Sequence, residues 1–158
     1  MVYDFTADDV FEMAEQLERN GANFYRKAAE NVSDPRSKKL LIELAKMEDE
    51  HEKTFASLRA DLTKAEKTTT VFDPEDEAAL YLRALADTRV FFKKKIDISS
   101  MKEILKAAIV AEKDSIVFYL GLKDFVPDKL GKNRLDTIIK EEMGHIRILS
   151  KELVSLKK

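Results

Sequence analysis

The 158-residue chain predicts an all-α fold: a four-helix bundle with one long crossover that contains a short extra helix. Three observations carry that expectation. Apolar residues recur at helical spacing in four separate stretches. Two connections are short, at Ser33-Asp34-Pro35 and Val126-Pro127-Asp128, and a short link between long helices makes them antiparallel neighbours. The chain also repeats itself: Glu18, Phe24, Tyr25, Glu48 and His51 return 94 residues later as Glu112, Phe118, Tyr119, Glu142 and His145. Each half therefore reads as one helical hairpin, and the chain as two copies of it. Its full length, residues 1–158, fits a single domain able to bury a real core.

Helix one is expected from about Thr6 to Asn31. Thr6 with Asp9 three residues later resembles an N-terminal cap, and the stripe Val10/Phe11, Ala14, Leu17/Glu18, Gly21, Phe24/Tyr25, Ala28 keeps helical period. After the first turn, Asp34 is placed to cap helix two, with Pro35 at its first position. Helix two then runs to roughly Leu62 with the stripe Leu40/Leu41, Leu44, Met47, Glu48, His51, Phe55, Leu58.

The crossover differs in character. Thr68-Thr69-Thr70-Val71-Phe72 is β-branched and expected to be extended. Asp73-Pro74 then starts a shorter helix reaching towards Phe92. The run Phe91-Phe92-Lys93-Lys94-Lys95 reads as a helix end with basic residues on its last carbonyls, in preference to a partner surface. A connection of this length lets helix three lie parallel to helix two.

Ser100-Met101-Lys102-Glu103 is a capping box that opens helix three, which is expected to continue to about Lys123. Its stripe is Met101, Ile104/Leu105, Ala108, Ala111/Glu112, Ser115, Phe118/Tyr119, Leu122. Helix four carries Leu135, Ile138/Ile139, Glu142, His145/Ile146, Leu149, Leu153 and Leu156.

Composition removes several function classes. A formal net charge of -2 argues against nucleic acid, which needs a concentrated basic surface. No cysteine is present, so disulfides, thiolate metal sites and a thiol nucleophile are excluded. The first residues lack the layout of a signal peptide and no apolar run reaches transmembrane length, so a cytoplasmic location and no membrane association are expected.

Chemistry enters through the polar residues set into the apolar stripes. Glu48 and His51 lie three residues apart, as do Glu142 and His145, so each pair projects from one helical face. With Glu18 and Glu112, the stripes bring four glutamates and two histidines to one seam. Four uncompensated buried carboxylates would cost many kcal/mol or take strongly raised pKa values. Two divalent cations neutralise them formally. Carboxylate oxygen with imidazole nitrogen suits iron, manganese or zinc. Glu48 and Glu142 are the natural bridges between two ions. Tyr25 and Tyr119 read either as core aromatics or as hydroxyl donors to a carboxylate, the second use being favoured slightly. Asp49, Glu50, Glu52 and Glu141 read as solvated face.

The pattern resembles the ferritin-like di-iron carboxylate proteins. Within them, Glu18 through Phe24-Tyr25, followed by Lys46-Met47-Glu48-Asp49-Glu50-His51 and its echo Lys140-Glu141-Glu142-Met143-Gly144-His145, is similar to the rubrerythrin branch. The resemblance implies two iron ions held by Glu18, Glu48, His51, Glu112, Glu142 and His145, reacting with peroxide or oxygen. The branch's rubredoxin-like segment with paired cysteines is not in this sequence, which implies an external electron donor such as a rubredoxin. A homodimer is among the assemblies expected. Rubrerythrin peroxidases also carry a further glutamate one turn after the helix-three ligand, where this chain has Ser115. That departure keeps a second expectation open, a metal-binding or storage protein with at most ferroxidase activity. An oxygenase acting on an organic substrate comes third.

Overall fold

A computed structural model describes residues 7–62, 98–123 and 132–156. It contains four helices among those residues: α1 (Ala7–Glu30), α2 (Pro35–Ala60), α3 (Met101–Leu122) and α4 (Lys132–Leu156). The first three match their expected bounds to within about two residues, α4 spans the expected stripe from Leu135 to Leu156, and no strand occurs among the described residues. The Thr6 cap, the extended Thr68–Phe72 segment, the crossover helix, the basic run ending at Lys95 and the turn at Val126-Pro127-Asp128 lie outside the described residues.

Local chemistry accounts for the helix starts. Asp34, in extended backbone, accepts from the Ser37 amide at 2.9 Å and the Ser37 hydroxyl at 2.8 Å, with Pro35 at the first helical turn. Those hydrogen bonds from Ser37 hold the Asp34 carboxyl below its ordinary range. Ser100 caps α3 by accepting from the Glu103 amide. The α1–α2 connection is short because Asn31 closes α1 immediately, its amide on the Ala28 carbonyl and its side chain on that of Lys27.

The helices form two hairpins, α1 with α2 and α3 with α4. Arg59 ties the first together, reaching Asp8 at 2.9 Å and Glu15 at 2.8 Å across the α1–α2 surface. Arg19–Glu52 and Arg26–Asp49 add two more surface pairs, each at 2.8 Å. Pairs this exposed are worth about 0–1 kcal/mol each, so burial has to supply the main stabilisation.

Burial is organised in two apolar clusters. One gathers Val10, Phe11 and Leu17 of α1, Phe55 and Leu58 of α2, Phe118 and Leu122 of α3, and Leu135, Ile138 and Ile139 of α4. The other gathers Phe24 and Ala28 of α1, Leu41 and Leu44 of α2, Ile104 and Leu105 of α3, and Leu149 of α4. The start of α1 thus meets the ends of α2 and α3 and the start of α4. Therefore α2 and α3 run parallel, as a long crossover permits. Truncating Phe55 to alanine would cost about 3–5 kcal/mol, since its ring is fully buried and lies 5.1 Å, centroid to centroid, from Tyr119.

Two expected core positions are not core. Met47 is 38% exposed and Leu156 51% exposed. Met47 sits at the edge of the α2 stripe, one residue before Glu48, and a further 100° of helix rotation carries it out of the seam. Leu156 closes the last turn of α4, beyond the half-buried Leu153.

Candidate metal centre

The helical period that builds the two apolar clusters also leaves a polar layer between them. Glu18, Glu48, His51, Glu112, Glu142 and His145 are all nearly inaccessible, between 1% and 3% exposed. Each comes from the inward stripe of its helix, one histidine and one glutamate on α2 and on α4, and a single glutamate on α1 and on α3. All six residues expected at the seam meet there.

Two overlapping groups form. Glu18, Glu48, His51 and Glu142 present ligand atoms within 4.8 Å of one another, and so do Glu48, Glu112, Glu142 and His145. Glu48 and Glu142 belong to both groups. Glu142 sets one oxygen 3.0 Å from His51 Nδ1 and the other 3.1 Å from His145 Nδ1. Glu48 does the same at 3.3 and 3.7 Å. The outer glutamates serve one side each: Glu18 lies 3.5 Å from His51 Nδ1, and Glu112 lies 3.4 Å from His145 Nδ1. Both imidazoles turn Nδ1 inward, and their rings stack 5.7 Å apart at 20°.

The tyrosines complete the symmetry crosswise. Tyr25 of the first hairpin donates to Glu112 of the second at 2.6 Å, and Tyr119 of the second donates to Glu18 of the first. Burial, with the charge of the nearby carboxylates, pushes both phenols well above their ordinary value, so both stay protonated and available as donors.

Electrostatics within this layer is extreme. Burial, followed by the charges of Glu142, Glu18 and Glu112, raises the Glu48 carboxyl well above its ordinary value. Burial, followed by the charges of Glu112 and Glu18, does the same for Glu142. Burial also opposes ionisation of Glu112, but the proximity of Glu142 and of the His145 ring, whose Nδ1 lies 3.4 Å away, outweighs it and brings that carboxyl to about 2. Glu18 is likewise lowered, burial being outweighed by hydrogen bonds with His51 and Glu48. Burial works against a charge on His145, yet the surrounding carboxylates lift it to about 12; His51 is raised by the same balance.

Despite this crowding, one oxygen each of Glu48 and Glu142 and both ring nitrogens of His145 make no hydrogen bond among the described residues. Buried polar atoms without partners are rare because each costs about 1–3 kcal/mol. Three of these four, the two glutamate oxygens and His145 Nδ1, belong to the convergent donor set. They are hard oxygen and borderline nitrogen donors, the mixture that suits iron, manganese or zinc. The residues present therefore fit a pair of divalent ions.

Two further positions refine the site. Ser115, 6% exposed, donates its hydroxyl to the Ala111 carbonyl at 3.0 Å, so this hydroxyl is engaged with its own helix. Gly21, its counterpart in the repeat, faces Glu48; a methyl group built there would already touch the Glu48 side chain at 3.7 Å.

Glu141 corrects the sequence reading. Although its side chain is 47% exposed, it places a carboxylate oxygen 2.5 Å from His51 Nε2. Nothing in a helical stripe flags it, because it stands one residue before Glu142 and so points away from the seam. It reaches the imidazole from the side, across the α2–α4 junction. The signal that could have found it is the rule that a ligating histidine usually gives its second N–H to a carboxylate or carbonyl.

Comparison with known proteins agrees with this geometry. No curated protein matches the chain at a significant level. A solved structure of a Thermotoga maritima protein, described as ferritin-like and diiron-carboxylate, superposes with a TM-score of 0.71 at 25% identity, covering 97% of each chain. The family model named Rubrerythrin matches residues 9–153. The bundle, the carboxylate–histidine layer that points to a di-metal site and the family match converge: the chain belongs to the rubrerythrin family.

Proposed function

We propose that the chain is a di-iron carboxylate oxidoreductase of rubrerythrin type that reduces peroxide or oxygen. The observation that carries this reading is the shared position of Glu48 and Glu142, each of which faces both histidines and so can bridge two ions. Glu18 and His51 would complete one ion's protein ligands, and Glu112 and His145 the other's. Iron held there supplies electrons to a bound oxidant.

The chain's own part is to bind, orient and seal. Glu48 and Glu142, lying between the two histidines, would hold both ions. Tyr25 and Tyr119 hold the outer carboxylates in place from opposite hairpins. The apolar clusters above and below exclude bulk water, which strengthens every charge interaction inside. Six protein ligands leave coordination positions on each ion for the oxidant. In this reading a rubredoxin-type donor supplies the electrons for repeated turnover.

One observation favours a second reading, a metal-binding protein with at most ferroxidase activity. Ser115 turns its hydroxyl onto Ala111 and offers no extra carboxylate beside Glu112. Stopped-flow absorption of the anaerobically ferrous-loaded protein, mixed in turn with peroxide and with oxygen, separates the two. The oxidoreductase reading expects rapid single-turnover oxidation and repeated turnover once a rubredoxin-type donor is added. Accumulation of many ferric ions per chain would mark a store.

A further inference from the structure

The 94-residue repeat makes the six inward residues symmetric, yet their surroundings are not. His51 has a carboxylate on its outer nitrogen, Glu141 at 2.5 Å. Among the described residues His145 has none: its Nε2 is buried without a hydrogen bond. The repeat explains the difference, because the residue 94 positions before Glu141 is Met47, which cannot accept a comparable bond. An ionised carboxylate at this position can only accept, so it holds a proton of His51 on Nε2 and leaves Nδ1, which faces Glu18, Glu48 and Glu142, as the nitrogen that gives up its proton to an incoming cation.

A surface groove of about 480 Å³ between α2 and α4 is lined by His51 and Glu141, with Lys53, Thr54, Arg134 and Thr137 among its walls. His145 does not line it.

We propose that Glu141 is a positioning residue that makes the two metal positions inequivalent, so that the position served by Glu18 and His51 binds the tighter of the two ions. The inference rests on the di-metal reading of the site. A carboxylate on the outer N–H of a ligating imidazole holds the ring in its productive tautomer and orientation and makes it a stronger donor. Loss of such a partner costs about 10–100-fold in metal affinity. His145 lacks that support, so its ion is held more weakly and is the first to leave.

Anaerobic titration of the full chain with cobalt(II), followed by the visible absorption of the bound ion, tests this. The wild type takes up two ions in two separable steps. Glu141→Ala weakens the first step by about 10–100-fold and leaves the second in place. Because Glu141 is half exposed, its truncation opens no core cavity. Proton NMR of the cobalt-loaded protein gives a readout that a merely structural role would not move. There, Glu141→Ala shifts the exchangeable ring N–H signal of His51 and not that of His145. Two equal steps in the wild type, equal weakening of both steps in the variant, or an unmoved His51 signal overturns the inference and leaves the metal centre standing. Failure of the wild type to bind cobalt overturns the metal centre and the inference together.

Discussion

Tyr25 on α1 gives its hydroxyl hydrogen to Glu112 on α3 at 2.6 Å, a bond that joins the two hairpins. Shifted by 94 residues, the same bond becomes Tyr119 to Glu18. Each half of the repeat therefore orients the outer carboxylate of the other. Hydrogen bonds to charged groups contribute about 1.5–3 kcal/mol. Tyr25→Phe and Tyr119→Phe should each lower the unfolding free energy by that amount, to similar extents, in urea titrations. A variant that unfolds like the wild type would show that its tyrosine acts only as core.

Glu48 and Glu142 each face both imidazoles. Removing either should disturb both ions, so Glu48→Ala and Glu142→Ala should lose metal together and to similar extents, read as metal per chain after anaerobic gel filtration. Glu52→Ala removes only a surface partner of Arg19 and should keep both ions, with stability changed by about 0–1 kcal/mol. Retention of two ions in Glu142→Ala alone would refute the symmetric centre.

Metal affinity should rise with pH. His145, at about 12 against an ordinary 6.5, and Glu48 and Glu142, raised well above 4.5, keep protons that an incoming cation must displace. Groups raised in the folded state stabilise it fully below their unfolded values and lose that contribution as pH rises towards the folded ones. Protein prepared without metal should therefore lose stability from about pH 5 upwards, because the unfolded chain releases these protons while the folded one keeps them, whereas loaded protein should not. The gap in Tm between the two samples should widen over that range. Glu18 and Glu112, both lowered, act in the opposite sense, and their contribution is lost only as pH falls below about 4.5. Superimposable melting curves with and without two equivalents of manganese(II) would show that the layer holds no metal.

Ser115 lies one turn after Glu112 on the same buried face. Ser115→Glu should add an anionic ligand beside Glu112 and favour the oxidised pair. Its reduction potential, measured by dye-mediated titration, should fall relative to the wild type. If the wild type already turns over peroxide rapidly with a rubredoxin, the additional glutamate is dispensable in this chain.

Much of this was legible in the sequence because helical period and an internal repeat are both local signals. The stripes located the four helices, and the doubled Glu-x-x-His, with the upstream glutamate of each half, marked six residues that prove to meet in one layer. Asp34 and Ser100 announced their caps by residue type. What was not legible depends on lateral geometry between helices. Glu141 reads as surface because period assigns it outward, and only the α2–α4 junction brings it against His51. The crossed tyrosine bonds were equally hidden: spacing within a helix says that Tyr25 shares a face with Glu18, and packing shows that it reaches Glu112 instead. Met47 reads as inward because it sits in the apolar stripe beside Glu48, yet one step of rotation leaves it 38% exposed.

Anomalous X-ray scattering at the iron edge from ferrous-loaded crystals tests the pair of ions between Glu48 and Glu142 most directly. Two peaks per chain should appear inside the bundle, one beside Glu18 and His51 and one beside Glu112 and His145, with Glu48 and Glu142 contacting both. A single peak, or peaks confined to surface carboxylates such as Glu50 and Glu52, would contradict it.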